Sequence, residues 1–273
     1  MKRGVTLKEE DLKLGIFSWF GFVMPMPERL KLIKNAGFDS VAIWWEDEQG
    51  DKVIKKEDFH KIVNDSGLIL ENIHAPFGEC NMFWNEDKLE RNKIVKNHVN
   101  LIEECAKFNV PLIVMHVSEH FMLEEPNANG LKSFEYIIKA AEENNINIAI
   151  ENTDNNYFID YILSNMSSPN LGFCFDSSHN EICSRRDINL LKKHGSKLLA
   201  THISDNDGLA DRHWIPYEGN IDWSNMKKFF PKNYGGHLSL EVFTRKEDVE
   251  KGPEVFVNKA YKNISKLRSY LLK

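Results

Sequence analysis

Short apolar segments alternate with longer segments of helical periodicity along the whole chain. Eight of the short segments have the length and the β-branched or aromatic content of strands, and several are apolar on both faces, as buried parallel strands are. The predicted strands span 13–19, 39–45, 68–74, 111–117, 146–151, 170–176, 197–203 and 237–243. Apolar residues at helical spacing predict helices between the strands, including 28–36, 86–108, 130–144 and 253–272.

Eight strand–helix units account for almost all of the 273 residues. Such a series closes most economically as an eight-stranded parallel barrel, so the sequence predicts a single-domain α/β protein, a (β/α)8 TIM barrel over residues 1–273. An open doubly wound sheet is the alternative. It is less favoured because no GxGxxG turn follows the first strand and no GxxxxGK[ST] motif occurs anywhere.

The charge balance bears on which partners the protein can have. The formal charge is −6, from 35 Lys and Arg against 41 Asp and Glu. Proteins that hold nucleic acid through its phosphates need clustered Lys and Arg, so we do not expect a nucleic-acid partner. The total does not exclude a local basic groove, and the position of the negative charges matters more than their sum.

Several features indicate a cytoplasmic protein. The first 14 residues are charged and lack an apolar core, so we expect no signal peptide. No apolar run reaches the 18 or so residues of a membrane helix, so we expect no membrane partner. The four cysteines form no CxxC pair, and we expect free thiols rather than disulfides.

Six consecutive predicted strands each end at a His or a carboxylate, namely His74, His116, Glu151, Asp176, His202 and Glu241. Three further residues of these types follow in the adjoining loops, namely His179, Asp211 and His213. In a parallel barrel all strands end at one mouth, so these side chains converge there. Burying several carboxylates together is costly without a cation. Mixed His and carboxylate ligands suit a divalent metal, and we expect Mn, Mg, Co or Zn.

The sequence around these residues carries a family resemblance. The segments IHAPF, IENTD, FDSSH, THISDND, DRH and SLEVF resemble the xylose-isomerase-like barrel superfamily over nearly the whole chain. The most specific part runs from His202 to Trp223. This superfamily contains sugar and sugar-phosphate isomerases and epimerases, and also abasic-site nucleases of the endonuclease IV type.

Resemblance to the epimerase branch implies one divalent metal held by Glu151, Asp176, His202 and Glu241. It implies that Glu151 and Glu241 lie on opposite sides of the sugar and act as acid and base, through an enediolate. His179 then donates a hydrogen bond to a substrate oxygen.

Resemblance to the nuclease branch implies three zinc ions and nine ligands. The chain has a candidate for each of them: His74, His116, Glu151, Asp176, His179, His202, Asp211, His213 and Glu241. Against this hypothesis, the loops after the first two predicted strands are apolar (WFGFVMPMP) and acidic (WWEDEQGD). A phosphate backbone is repelled by such an acidic run.

The expected substrate is a small sugar. The aromatic residues Trp19, Phe20, Trp44 and Trp45 follow the first two predicted strands, and an aromatic face packs against the C–H face of a sugar. We expect Trp19 and Trp45 to bind substrate, and Arg212 to contact a substrate oxygen. Arg212 does not stand at the epimerase branch's usual arginine spacing, which leaves the particular sugar open.

The preferred hypothesis is therefore a metal-dependent sugar or sugar-phosphate isomerase or epimerase. The alternatives are a zinc-dependent nuclease or phosphodiesterase, a dehydratase or lyase in which the same enolate expels a β-hydroxyl, and a sugar-binding barrel without catalysis. Members of the superfamily are often dimers or tetramers, so a homo-oligomer is also expected.

Overall fold

The computed structural model describes residues 11–50, 52–119 and 125–273. Eight strands occur in it, and each lies inside the range predicted from the sequence. They are β1 (Leu14–Phe17), β2 (Ser40–Trp44), β3 (Ile69–His74), β4 (Leu112–His116), β5 (Asn147–Glu151), β6 (Leu171–Asp176), β7 (Leu198–His202) and β8 (Leu238–Leu240).

Helices alternate with the strands within these described ranges. The α-helices are α1 (Met26–Ala36), α2 (Phe59–Asp65), α3 (Lys88–Lys107), α4 (Ala128–Asn144), α5 (Asn156–Asn165), α6 (Ser177–Ile182), α7 (Leu190–His194), α8 (Trp223–Phe229), α9 (Lys246–Lys251) and α10 (Pro253–Leu272). Short 3-10 helices span Lys56–Asp58, Cys80–Trp84 and Gly195–Lys197. The four helices predicted by their periodicity are thus confirmed.

The sheet is parallel and closes into a barrel. Its strands follow the order β7-β6-β5-β4-β3-β2-β1-β8. The last gap is closed just beyond β7, where the Ile203 N–H donates to the Ser239 carbonyl at 2.8 Å and the Glu241 N–H donates to the Ile203 carbonyl at 3.2 Å. The protein is therefore a (β/α)8 barrel, and the open doubly wound sheet is excluded.

Local signals in the sequence set the helix boundaries. Asp87 and Asn127 cap α3 and α4, because their side chains accept hydrogen bonds from free backbone N–H groups of the first turn. Helix α1 begins after Pro25 and ends at Gly37, whose φ of 109° is a left-handed conformation that favours glycine.

Successive side chains of each strand point alternately outward, toward the helices, and inward, into the barrel, so the protein has two cores. On β2, Val41 and Ile43 point outward and pack with the apolar side chains of the helices, whereas Trp44 points inward against Phe17 and His74. One inward residue stands at or directly after the end of every strand: Phe17, Trp44, His74, His116, Glu151, Asp176, His202 and Glu241. These eight residues form the layer of side chains at the mouth of the barrel.

The opposite end of the barrel interior holds a polar cluster. The carboxylate of Glu71, on β3, lies 2.8 Å from His237 Nδ1 and accepts hydrogen bonds from the hydroxyls of Ser40 and Ser239. Gly15 leaves the space for this cluster, since a Cβ atom there would lie 2.7 Å from the Glu71 carboxylate. We call these four side chains, Glu71, His237, Ser40 and Ser239, the barrel-floor cluster.

The sequence also predicted free thiols, no membrane helix and no signal peptide. All four cysteines are free and buried, as predicted. No helix in the described part of the chain is long and apolar enough to cross a membrane. The absence of a signal peptide stays a prediction, because residues 1–10 lie outside the described residues.

Candidate active site

Glu151 is the centre of the mouth layer. Its carboxylate is completely buried, and three histidines surround it. His74 Nε2 and His116 Nε2 lie 3.0 and 3.3 Å from Oε2, and His202 Nδ1 lies 2.7 Å from Oε1. A carboxylate with no exposed surface is stable as an anion only if cationic or hydrogen-bonding groups surround it, and the three rings do so here.

A second carboxylate, Glu241, lies beside Glu151 at one nitrogen of His202. Glu241 Oε2 lies 3.0 Å from His202 Nδ1, the same ring atom that approaches Glu151. Asp176 completes this group: its Oδ1 caps α6 by accepting from the His179 N–H at 2.6 Å. Its Oδ2 is buried and has no hydrogen-bond partner among the described residues.

A fourth carboxylate, Asp211, joins two further histidines. Its Oδ2 lies 3.1 Å from His179 Nε2 and 2.7 Å from His213 Nε2. Its Oδ1 accepts a hydrogen bond from the Ser178 hydroxyl at 2.6 Å. The structure thus brings all nine residues predicted from the sequence as ligands into one connected cluster.

Backbone carbonyls fix the ring orientation of three of the histidines. The Nδ1 atoms of His74, His179 and His213 lie 2.7, 2.9 and 3.0 Å from the carbonyls of Ala75, Asn152 and Glu241. A carbonyl can only accept, so each Nδ1 carries a proton and each Nε2 points into the cluster. This is the arrangement in which proteins hold histidines that bind metal ions.

The pKa values in the cluster reflect its buried charges. Burial, together with the nearby charges of Asp211, Glu151 and Glu241, raises the pKa of Asp176 to about 7. Burial favours the neutral form of Glu241 too, but the His202 ring outweighs it and lowers the Glu241 pKa to about 2. Burial likewise opposes the charge on His213, but Asp211 and Glu241 raise its pKa to about 9. Near neutral pH His213 is therefore cationic and Glu241 anionic, and a proton on Asp176 reduces the negative charge of the cluster.

The cluster fits a divalent cation. One ligand atom from each of Glu151, Asp176, His202 and Glu241 lies within 4.8 Å of the others, and all four residues are buried. The partnerless Asp176 Oδ2 belongs to this set. Oxygen and nitrogen ligands of this kind suit Mn, Mg, Co or Zn.

A pocket of about 330 Å³ lies above the cluster. We call it the mouth pocket. Its floor contains His74, His116, His179, Asp211, His213 and Glu241. Its walls include four apolar side chains, Trp44, Phe77, Ile182 and Phe243. A polar floor within apolar walls is typical of small-molecule sites.

Not all of the predicted substrate-binding residues reach this pocket. Trp45 lies in the outer helical layer, where its Nε1–H donates to Glu104 at 3.0 Å and its ring packs on Phe59. Alternation along β2 instead places the adjacent Trp44 inside the barrel, where it lines the mouth pocket. Arg212 is 42% exposed and pairs with Asp207 at 3.1 Å, and it is not among the residues that line the mouth pocket. Trp19 lines a neighbouring cleft instead.

Sequence reasoning missed residues that hold the cluster in place. Asn152 accepts from the Asp176 N–H at 2.8 Å and donates to the Asp176 carbonyl at 2.9 Å, which fixes the end of β6. Asn206 donates to the Ser178 hydroxyl at 2.9 Å. Each lies close in sequence to a predicted ligand, but only the fold shows which group it bonds.

The fold and site define a (β/α)8 barrel with a buried carboxylate–histidine cluster at the carboxyl ends of its strands. The chain belongs to the xylose isomerase-like TIM barrel family, whose model matches residues 30–259. The resemblance stated from the sequence is thereby confirmed.

The proteins similar to this chain include a relative in sequence and solved structures of similar fold. The uncharacterized protein y4fM of Sinorhizobium fredii is 29% identical over 249 residues, covering 78% of this chain and 79% of y4fM. D-Psicose 3-epimerase from Clostridium cellulolyticum H10, solved with D-tagatose, has a TM-score of 0.74 at 16% identity and covers 96% of this chain and 100% of its own. IOLI protein with a bound zinc atom has a TM-score of 0.74 at 20% identity, with 95% and 99% covered. At these identities the two solved structures show a shared fold.

Proposed function

We propose that the protein is a divalent-metal-dependent isomerase or epimerase of a small sugar. The observation that carries this proposal is the pair of carboxylates at one nitrogen of His202. Glu151 lies 2.7 Å and Glu241 3.0 Å from its Nδ1 atom, and Glu241 lines the mouth pocket. The similar folds of a D-psicose 3-epimerase and of a zinc-binding protein support it.

The two glutamates supply a base on each side of the reacting carbon. Their pKa values are lowered, so both are carboxylates at neutral pH. One of them removes the proton from the carbon next to the carbonyl, and the C–H electron pair forms the C=C bond of an enediolate. The other glutamate takes up a proton from solvent and delivers it to the opposite face, which inverts the centre, while the first releases its proton to solvent. Delivery to the neighbouring carbon instead, with transfer of the hydroxyl proton to the former carbonyl oxygen, isomerises the sugar.

The remaining residues hold the substrate and the charge. Glu151, Asp176, His202 and Glu241 would hold the cation, which supplies stabilisation of negative charge on the substrate oxygens. His179, fixed at Nδ1 by the Asn152 carbonyl, directs Nε2 toward the floor of the pocket and would contact a substrate oxygen. The apolar walls limit the entry of water, which protects the carbanion-like intermediate from competing proton sources.

Deuterium exchange tests this proposal. The metal-loaded protein, incubated with a panel of ketoses in D2O, should incorporate deuterium next to the carbonyl, as followed by NMR. Glu151→Gln and Glu241→Gln should each abolish exchange and keep the circular dichroism spectrum. Glu181→Gln is a matched control, because this carboxylate pairs with Arg186 outside the cluster. Exchange retained in both cluster variants would refute the acid–base role.

A second function, metal-dependent phosphodiester hydrolysis, is favoured by one observation. Ligand atoms form four compact groups rather than one. Three consist of histidines and carboxylates: His74, His116 and Glu151; His179, Asp211 and His213; and Glu151, Asp176, His202 and Glu241. The fourth, Glu151, Cys174 and His202, shares two of its members with the last of these. Three metal ions fit such a cluster. Metal analysis of protein purified without chelators separates the two functions. About one ion per chain supports the isomerase, and close to three zinc ions with cleavage of abasic DNA support the hydrolase.

A further inference from the structure

A second cavity adjoins the mouth pocket. It lies between the loop that follows β1 and the loop that follows β2, and we call it the rim cleft. Its volume is about 970 Å³, nearly three times that of the mouth pocket. Trp44 lines both cavities, so the two adjoin at this residue. A single sugar ring bound over the cluster therefore has a large open space next to it.

One side of the rim cleft is aromatic and apolar. Trp19, Met24 and Pro25 come from the loop after β1 and line the cleft together with Trp44. Trp19 is held by the guanidinium of Arg29, which lies 5.5 Å from the centre of its ring. Two indoles in one cleft provide apolar faces against which the C–H face of a sugar ring can pack.

The other side of the rim cleft is rich in hydrogen-bond acceptors. Glu46, Asp47 and Glu48 follow β2 and line the cleft. Glu48 pairs with the buried Arg29, and Asp47 pairs with Lys55 at 2.6 Å, so both carboxylates have fixed positions. Carboxylate oxygens accept hydrogen bonds from hydroxyl groups and repel anions.

The charges around the mouth pocket do not favour an anionic substrate. Among the described residues that line it there is no Lys or Arg. Four arginines in the loops at this end of the barrel each pair with a carboxylate: Arg185 with Asp187, Arg186 with Glu181, Arg212 with Asp207 and Arg245 with Glu218. In the neighbouring rim cleft, Lys52 and the paired Arg29 are outnumbered by the three carboxylates Glu46, Asp47 and Glu48. The charge of both cavities therefore disfavours a phosphate group on the substrate.

We infer that the substrate is an uncharged two-ring sugar, in which the reacting keto sugar occupies the mouth pocket and a glycosyl group occupies the rim cleft. This inference rests on the proposed function for the identity of the reacting ring. It adds that the second ring packs on Trp19 and Trp44, that its hydroxyls donate to the carboxylates after β2, and that phosphorylated sugars are rejected.

Three ketoses that differ only at carbon 6 test the inference. D-Fructose carries a hydroxyl there, D-fructose 6-phosphate a phosphate, and isomaltulose a neutral glucosyl group. Binding to the metal-loaded protein is measured by tryptophan fluorescence, and deuterium exchange is measured on the same samples. Isomaltulose should bind at least about tenfold more tightly than fructose, and the phosphate ester more weakly than either.

Two variants test whether the rim cleft causes the preference for isomaltulose over fructose. Trp19→Ala should reduce the preference for isomaltulose over fructose to near one, whereas Trp45→Phe, in the outer helical layer, should keep it. Tighter binding of the phosphate ester, or equal binding of isomaltulose and fructose, overturns the inference while deuterium exchange still supports the isomerase. Exchange with none of the three sugars and none of a wider ketose panel overturns the proposed function, and the inference with it.

Discussion

The hydroxyl of Ser178 donates a hydrogen bond of 2.6 Å to Oδ1 of Asp211, 33 residues further along the chain. Ser178 is itself held by Asn206, whose side-chain amide donates to the hydroxyl at 2.9 Å. Because Oδ1 is occupied in this way, Oδ2 of Asp211 faces both His179 and His213. Ser178 thus fixes the orientation of a carboxylate in the cluster.

Ser178→Ala should therefore lower kcat/KM for deuterium exchange by roughly tenfold, since a hydrogen bond to a charged group is worth about 1.5–3 kcal/mol. The neighbouring Ser177 is the matched control, because its hydroxyl bonds to the Ser204 carbonyl at 2.7 Å and not to the cluster. Equal losses in Ser178→Ala and Ser177→Ala would show a general packing defect instead.

Trp44 and Trp45 should respond differently to substitution. Trp44→Ala should lower kcat/KM strongly, because it removes a wall shared by the mouth pocket and the rim cleft. Trp45→Phe should keep kcat/KM and lower the free energy of unfolding by about 1–2 kcal/mol, because it removes the hydrogen bond to Glu104. Urea unfolding and steady-state exchange rates measure the two effects. A loss of activity without loss of stability in Trp45→Phe would contradict the assignment of this residue to the outer layer.

Metal affinity should rise with pH. The pKa values of Asp176 and His213 are raised to about 7 and about 9, so protons occupy these groups near neutral pH. A cation that binds to the cluster displaces protons, so its affinity increases as the protons become easier to remove. Calorimetric titration with Mn²⁺ at pH 6, 7 and 8 should show this increase and proton release in buffers of different ionisation enthalpy. Asp176→Asn should make the Mn²⁺ affinity depend less on pH. An affinity of the unsubstituted protein that does not change with pH would contradict this prediction.

Removal of the metal should lower the stability of the protein. A ligand that binds only the folded state adds about 2.7 kcal/mol to the free energy of unfolding at one hundred times its dissociation constant. Treatment with EDTA should therefore lower the melting temperature, and added Mn²⁺ or Zn²⁺ should restore it. Glu151→Gln, which removes a charge shared by the proposed ligand groups, should show a smaller response to both treatments.

The barrel-floor cluster should make the protein sensitive to acid. Burial opposes the charge of Glu71, but hydrogen bonds and charge from His237, with the two serines, lower its pKa below the ordinary value of 4.5. A carboxylate with a lowered pKa in the folded state adds stability above the unfolded pKa, and this contribution is lost as pH falls through the folded value. Urea unfolding of Glu71→Gln should show a loss of about 1–3 kcal/mol at pH 7 and a smaller loss below pH 4. The floor lies at the other end of the barrel interior, so metal affinity should not change.

Much of the fold was predictable because it depends on local patterns. The eight strands were found from apolar runs, and the barrel follows from eight successive parallel units. Ligand candidates such as Glu151 and His202 were predicted for the same reason, since the carboxyl ends of parallel strands meet at one mouth. Trp45 shows where this reasoning stops: in a pair of adjacent aromatic residues, the residue that faces inward depends on the register of the strand.

The sequence by itself determined the order of strands and helices, the family, and which titratable residues end the strands. Only the tertiary structure decided how these residues pair: that His202 lies between Glu151 and Glu241, that Ser178 orients Asp211, and that Trp44 divides two cavities. The physical reason is the separation along the chain of the residues that interact. Periodicity acts over a few neighbouring residues, whereas these contacts join groups far apart in the chain, and their distances exist only once the barrel has closed.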